Sequence, residues 1–276
     1  MVKQIAYLGP AGTYTEAASL LYDHEAELMP FPSIAAVVAA VDSKAAIEGV
    51  VPIENSLEGS VTDTLDLLIH DSNLSISHEM VIPIEHCLLV KPGRLARDVA
   101  SIYSHPQALG QCRRYIERTF PGAQAVASLS TSAAVEDMLR SQSPAAAIAT
   151  SRAADIYGAE IIDRGIQDNL ANYTRFVVLA QHDHPHTGRD KTSLCFAFND
   201  DSPGKLYSVM GHFATRNINL AKVESRPNKE SLGRYIFLID LDGHREDALV
   251  QEALNRVEAE VSMMKVFGSY PRYQDS

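Results

Sequence analysis

The side chains that could do chemistry gather in a few short segments, and most of them are neutral hydrogen-bonding groups. The segments are Gly9-Pro10-Ala11-Gly12-Thr13-Tyr14-Thr15-Glu16, Pro52-Ile53-Glu54-Asn55-Ser56, Ser104-His105-Pro106-Gln107, Ser128-Leu129-Ser130-Thr131-Ser132, Thr150-Ser151-Arg152 and Asn169 to Phe176. The last leads into an apolar run, and the others follow one. In open α/β sheets ligands bind beyond the carboxyl ends of strands, where loops open into helices. Hydroxyl and amide groups at helix N-termini, with their unsatisfied N–H groups and partial positive charge, suit carboxylates or phosphates. A single Ser or Thr before a helix is an ordinary cap. Several brought together by topology make a site for a small anion.

Other chemistries lack their fingerprints. The glycines after the first strand do not form G-x-G-x-x-G, and no Gly-Lys-Ser/Thr run, G-x-S-x-G elbow or His-Glu-x-x-His occurs. The expectation is a reaction run by side chains and hydrogen bonds, without cofactor or metal. Three histidines alternate at 182, 184 and 186, with no Cys or Glu ligands nearby, so they read as a solvated connector. Cys87, Cys112 and Cys195 are too few and too widely spaced for a disulfide framework and are expected as buried free thiols. With a formal net charge of -11, the surface disfavours nucleic acid and anionic membrane as partners. No segment has the length and apolarity of a signal peptide or membrane span, so a cytoplasmic location is expected.

These segments need elements to position them. Apolar runs at 4–8, 49–51, 74–81, 84–90, 99–103, 123–127, 146–149, 160–162 and 175–180 read as strands. Helical patterns at 13–22, 33–41, 61–70, 106–119, 131–140 and 151–157 separate most of them. This alternation predicts an α/β fold with a largely parallel sheet. Residues 74–90 hold two strand-like runs without an intervening helix, the place for a crossover between two lobes flanking a cleft. That is a periplasmic-binding-protein-like arrangement for residues 1–181.

After a polar, turn-rich stretch at 181–191 the pattern changes. Strands at 192–198, 218–225, 234–241 and 261–268 and helices at 205–215 and 246–260 give the order βαββαβ. This is the ferredoxin-like unit, and it predicts a second domain at 192–276.

Taken together, the segments resemble the bacterial prephenate dehydratases, whose signatures run G-P-x-G-T, P-I-E-N-S/T, S-H-P-Q-x-x-x-Q-C and T-R-F. This chain has Gly9 to Thr13, Pro52 to Ser56, Ser104 to Gln107 continuing to Gln111-Cys112, and Thr174-Arg175-Phe176 in that order. Glu224-Ser225-Arg226-Pro227 resembles the E-S-R-P motif of the family's ACT regulatory domain. The resemblance implies cofactor-free conversion of prephenate to phenylpyruvate in phenylalanine biosynthesis. It implies a monofunctional enzyme, no chorismate mutase-like stretch being present. It points to Thr174 for activity, by hydrogen-bond donation to the leaving hydroxyl. It makes Arg175 a carboxylate holder or a loop support, Asn55, Ser56, Ser104, Gln107 and Gln111 orienting groups, and Glu54 a proton source. Gly12, Thr13 and Phe176 would line the substrate site, although Phe176 alone reads as core and Gln111 as readily as a solvated helix face. His105 reads equally as an acid or as a residue at a helix start that merely faces solvent.

For the second domain the resemblance implies a phenylalanine effector pocket of Gly204, Leu206, Glu224, Ser225, Arg226 and Pro227, shared in a homodimer or homotetramer. Lys205 stands where the family carries Ala, and Ala221 where Thr is common, so ordinary phenylalanine inhibition is the weaker part of that implication. Arogenate as substrate, or a silent small-molecule binding protein on the same scaffold, are the alternatives.

Overall fold

The computed structural model describes residues 2–94, 99–200, 202–229 and 234–274. The chain resolves into two compact units, Met1–Val61 with Met80–Phe176, and Thr62–Glu79 with Val177–Ser276.

The first part of the chain runs β1 (Gln4–Leu8), α1 (Tyr14–Tyr22), β2 (Glu27–Phe31), α2 (Ile34–Asp42), β3 (Glu48–Asn55), β4 (Gly59–Ser60) and α3 (Thr62–Asp66) with a π-helical turn at Leu67–Asp71. Then come β5 (Ser75–Pro83), β6 (Cys87–Val90), β7 (Ser101–Ser104), α4 (Pro106–Gln111), α5 (Arg113–Thr119), β8 (Gln124–Ala127) and α6 (Thr131–Arg140). The series closes with β9 (Ala145–Ala149), α7 (Ser151–Tyr157), β10 (Glu160–Arg164) and β11 (Tyr173–Ala180). Two sheets result. One has the order β2-β1-β3-β11-β5, with β4 on β3, and the other β10-β6-β9-β7-β8.

The mixed α/β class agrees with the sequence pattern, but the expectation of a largely parallel sheet needs correcting. β1 pairs in parallel with β2 and β3, and β7 with β8 and β9, whereas β6 runs antiparallel to both β9 and β10. The run at 84–90 follows β5 without a crossover helix, so its strand enters the second sheet against the local direction. β2 was not expected because Pro30 interrupts its apolar run; at a sheet edge the missing N–H removes no ladder bond. The helix expected over 106–119 breaks at Cys112, which leaves helical geometry at φ -112° and ψ 16°.

Alternation along the strands of the second sheet feeds both of its faces. Leu88, Ile102 and Ile148 pack with Ala108, Cys112 and Ile116, while Leu89, Ala147 and Ala149 pack with Ala134, Val135 and Met138. Each large aliphatic buried this way stabilises the fold by roughly 1.5–3 kcal/mol. The three cysteines are buried and free. Burial pushes the Cys87 thiol up to about 11 and those of Cys112 and Cys195 to about 12, so none is a ready nucleophile.

The C-terminal part runs β12 (Asp190–Ala197), α8 (Lys205–Ala214), β13 (Leu220–Pro227), β14 (Tyr235–Asp242), α9 (Ala248–Glu260) and β15 (Met263–Pro271). Its sheet has the order β13-β14-β12-β15, and the pairs β13–β14, β14–β12 and β12–β15 are all antiparallel. This is the ferredoxin-like arrangement of βαββαβ. Leu194, Phe196, Ile239 and Leu241 from the sheet pack with Val209 and Phe213 of α8 and Val250, Leu254 and Val257 of α9. On the opposite strand parity, the buried Ser193 hydroxyl donates to Asp240 and lies against the Tyr270 hydroxyl. Among the described residues no helix is long and apolar enough to cross a membrane.

Candidate functional site

Loops from both sheets of the first unit enclose a cavity of about 340 Å³. β1 ends at its edge and delivers Thr13, Tyr14 and Thr15 at the start of α1; β3 delivers Asn55; β11 delivers Thr174 and Phe176. The second sheet contributes His86 ahead of β6, His105, Gln107, Ala108 and Gln111 around α4, and Leu129, Ser130 and Thr131 before α6. At two of these helix starts, those of α1 and α6, the cap is a side-chain hydroxyl. Thr13 Oγ1 accepts from the Glu16 N–H at 3.4 Å and Ser130 Oγ from the Ala133 N–H at 2.9 Å. The remaining first-turn N–H groups of α1 and α6 have no acceptor within their helices, which gives the cavity wall two positive ends. Among the described lining residues there is no Lys, Arg, Asp or Glu.

The hydroxyl of Thr174 is held at the centre of a buried network. Asn55 Nδ2 donates to Thr174 Oγ1 at 2.9 Å, to Asn172 Oδ1 at 2.8 Å and to the Tyr173 carbonyl at 3.1 Å. Asn172 Nδ2 donates to Gln111 Oε1 at 3.0 Å, and His86 Nε2 lies 2.9 Å from the same oxygen. Burial is the main influence on His86 and pushes its pKa below the usual imidazole value, so the ring is neutral at pH 7. On its other side, His86 Nδ1 is 3.3 Å from the Tyr14 hydroxyl, which donates to the Glu85 carbonyl at 2.6 Å. Burial also pushes the Tyr14 phenol well up, keeping it a neutral donor.

Five residues expected at the site, Asn55, Thr174, Gln107, Gln111 and Thr13, meet at this cavity, and Phe176 forms part of its wall. His105 lines the cavity, and its Nδ1 accepts from the Gln107 N–H at 3.3 Å. Others stand outside. Ser104 is fully buried and donates to the Ile148 carbonyl at 2.6 Å, tying β7 to β9. Ser56 donates to the Ala171 carbonyl at 3.1 Å and accepts from the Tyr173 N–H at 2.9 Å, which fixes the loop before Thr174. Glu54, one residue before Asn55 on β3, points to the other face, where its carboxylate is 3.5 Å from the Arg175 guanidinium.

Gly12 supports the site without lining it. Its N–H donates to Glu16 at 2.7 Å, its carbonyl accepts from Thr150 Oγ1 at 2.7 Å, and its φ of 83° suits glycine. A Cβ there would lie 3.1 Å from Ala153. Arg152 grips Glu16 through two bonds of 2.7 and 3.0 Å, so α1 and α7 are clamped beside the cavity. Burial pushes the Glu16 carboxyl up, but the hydrogen bonds from Arg152 and the Gly12 N–H outweigh it and hold the pKa below normal.

His86, Asn172 and Tyr14 carry no role in the sequence reading. His86 looks like one polar residue in an apolar run, and only the packing of α4 against it reveals its partner. Ser130 and Thr131 were visible as a hydroxyl-rich loop before a helix. That this helix start lines the same cavity as Thr174 was not.

The profile of the prephenate dehydratase family matches residues 5–184. The chain belongs to the prephenate dehydratase family. It is therefore an enzyme, a lyase that dehydrates prephenate on the way to phenylalanine. The chain is 41% identical over 270 residues to the bifunctional chorismate mutase/prephenate dehydratase of Aquifex aeolicus, covering 98% of this chain and 74% of that protein. It is 37% identical to the prephenate dehydratase of Bacillus subtilis, covering 98% of this chain and 99% of that one. The crystal structure of prephenate dehydratase from Arthrobacter aurescens in complex with L-Phe superposes with a TM-score of 0.89 at 34% identity, over 98% of this chain and 90% of that one. Of Thr174-Arg175-Phe176 on β11, Thr174 and Phe176 line the cavity, whereas Arg175, expected at the site, does not and lies 3.5 Å from Glu54.

Proposed function

We propose that the cavity around Thr174 binds prephenate and releases phenylpyruvate, and that the βαββαβ part is an ACT domain that regulates this reaction through phenylalanine. The observation that carries the catalytic assignment is a cavity rich in neutral donors, with Thr174 bonded to Asn55 inside it. Prephenate has two carboxylates and a ring hydroxyl. The C–O bond to that hydroxyl and the C–C bond to the ring carboxylate break, the electrons of the C–C bond complete the aromatic ring, and the departing oxygen takes a proton to leave as water. The dianion consumes one proton overall and yields CO₂, water and the phenylpyruvate anion.

Oxygen departs with developing negative charge, and a donor aimed at it is worth most in a site without competing water. Because Thr174 Oγ already accepts from Asn55, its own proton is available to the leaving oxygen. A Thr hydroxyl is too weak an acid to give that proton up fully, so Thr174 acts by hydrogen-bond donation. The starts of α1 and α6 suit the carboxylates. The lack of Arg and Lys in the lining suits the ring carboxylate in particular, since a tight ion pair would stabilise the ground state that must lose CO₂. Glu54, facing Arg175 instead of the cavity, is better read as the support that sets Arg175 beside Thr174.

For regulation, the ferredoxin-like topology, the Glu224-Ser225-Arg226-Pro227 strand and the L-Phe complex of the related enzyme support the reading. Lys205 pairs with Asp200 and its Nζ sits 5.7 Å from the Phe198 ring centroid. Such a lysine is engaged locally, and we propose Gly204, Leu206 and Glu224 to Pro227 as the residues that would meet the amino acid. We propose domain limits of 1–181 and 192–276, and a homodimer or homotetramer.

The test is purified protein with prephenate, read as phenylpyruvate formed, beside the same assay with arogenate. Formation of product from prephenate supports the reading. No product from either substrate leaves a silent binding protein, and product from arogenate alone reassigns the substrate. Titrating phenylalanine into the active assay tests regulation, and sedimentation at several concentrations tests assembly.

A further inference from the structure

Oxygen and nitrogen of an amide differ in what they accept and donate, so a chain of amides has a direction only if something of known polarity anchors it. Backbone N–H groups are such an anchor. Those of Leu57 and Glu58 donate to Asn55 Oδ1 at 2.9 and 3.1 Å. The nitrogen of Asn55 must therefore face Asn172 and Thr174, at 2.8 and 2.9 Å. Asn172, fully buried, then meets Asn55 with its oxygen and must turn its nitrogen to Gln111, at 3.0 Å. Gln111 meets Asn172 with its oxygen, and that same oxygen faces His86 Nε2 at 2.9 Å. An acceptor there requires a proton on Nε2. The neutral ring then has its lone pair on Nδ1, 3.3 Å from the Tyr14 oxygen, and receives no full hydrogen bond there while the Tyr14 proton goes to the Glu85 carbonyl 2.6 Å away.

We infer that Asn172 is a positioning residue: it transmits the polarity set by the 57–58 backbone to Gln111 and His86, holds His86 in the Nε2–H tautomer, and leaves the Thr174 proton and Gln111 Nε2 to serve the cavity. The inference deepens the reading of Thr174 as donor to the leaving oxygen and rests on it for its catalytic meaning. Asn172 directly precedes Tyr173 and stands two positions before Thr174, and its bond to Gln111 joins the β11 and α4 sides of the cavity. Its role is to select which end of each amide the substrate meets. With the order reversed, Gln111 would offer an oxygen to a carboxylate.

Nitrogen-15 NMR of histidine in the unmutated protein near pH 7 reads the tautomer directly. A neutral His86 with its proton on Nε2 is expected, and an Nδ1–H ring overturns the inference. Asn172→Asp replaces the donor facing Gln111 by an acceptor. Gln111 must then turn its nitrogen to residue 172, and the His86 proton should move to Nδ1. Turnover should fall about tenfold or more, with KM raised as Gln111 presents oxygen to the substrate. A folded Asn172→Asp enzyme with the original tautomer and unchanged kinetics would also overturn it.

If Asn172→Asp does not fold, Gln111→Glu serves instead. It keeps an acceptor for both donors, so His86 should retain its Nε2 proton, while KM rises about tenfold because the cavity-facing donor is gone. Loss of that proton, or an unchanged KM, counts against the proposal. Absence of turnover in the unmutated protein sinks the functional reading whatever the tautomer. An Nδ1–H ring in an active enzyme sinks this inference alone.

Discussion

The cavity around Thr174 and the edge strand β13 hold their polar groups in opposite ways. Around Thr174 the groups Asn55, Asn172 and His86 are neutral and buried, and each is fixed in direction by another group. On β13 the polar residues are charged and half-buried. Lys222, Glu224 and Arg226 share one strand parity, Glu224 pairing with Lys222 at 3.2 Å and Arg226 with Asp66 at 3.2 Å. Asp66 is also held by Lys229 at 2.5 Å. Fixed neutral dipoles need no reorganisation when charge develops during a reaction, so they suit a transition state. Paired surface charges exchange partners at little cost, which suits a reversible effector.

The largest expected effect is in the cavity. Thr174→Ala should lower kcat by about 10²–10³ with a much smaller change in KM, and Thr174→Ser should recover much of the loss. Steady-state kinetics on prephenate decides. Equal losses in kcat and substrate binding would erase the contrast between the fixed donors and the adaptable strand.

Next comes packing in the second unit, where Gly268 has φ of 148° and an added Cβ would come within 2.3 Å of the Ile76 carbonyl oxygen. Gly268→Ala should cost roughly 3 kcal/mol of stability, measured by urea unfolding. A neutral result would mean that the β15 backbone shifts freely there. Smaller again, Arg226→Ala should raise the phenylalanine concentration for half-maximal response roughly tenfold while leaving turnover without phenylalanine unchanged. A loss of basal turnover would show that the strand serves more than regulation.

The smallest effect concerns the Glu16–Arg152 clamp. The folded-state pKa of Glu16 is depressed, so the folded protein binds fewer protons there than the unfolded one. Its stabilisation is present above the ordinary carboxylate value and is lost as pH falls through the lower folded value. Glu16→Gln should flatten this part of the acid limb of a urea-midpoint profile, and an unchanged limb would remove the clamp from the account.

Much of this was legible in the sequence because the signals are local. The period-two and helical patterns located most elements, and the cap-forming residues Thr13, Ser130 and Thr150 stand at the helix starts. Motif order alone collected Asn55, Gln107, Gln111 and Thr174. β2 escaped because Pro30 hides an edge strand, and the antiparallel β6 because strand direction is not written in hydropathy.

What the sequence determined by itself, then, was the succession of elements, the family, and which short segments hold the chemistry, all of which depend on neighbours along the chain. Tertiary structure alone decided the rest. Side-chain parity on β3 put Asn55 inward and Glu54 toward Arg175. The register of β7 against β9 made Ser104 a strut instead of a ligand. The packing of α4 brought His86 and Asn172, 86 positions apart, onto one oxygen of Gln111. A hydrogen-bond network has a direction only once its partners meet, and these partners are far apart along the chain.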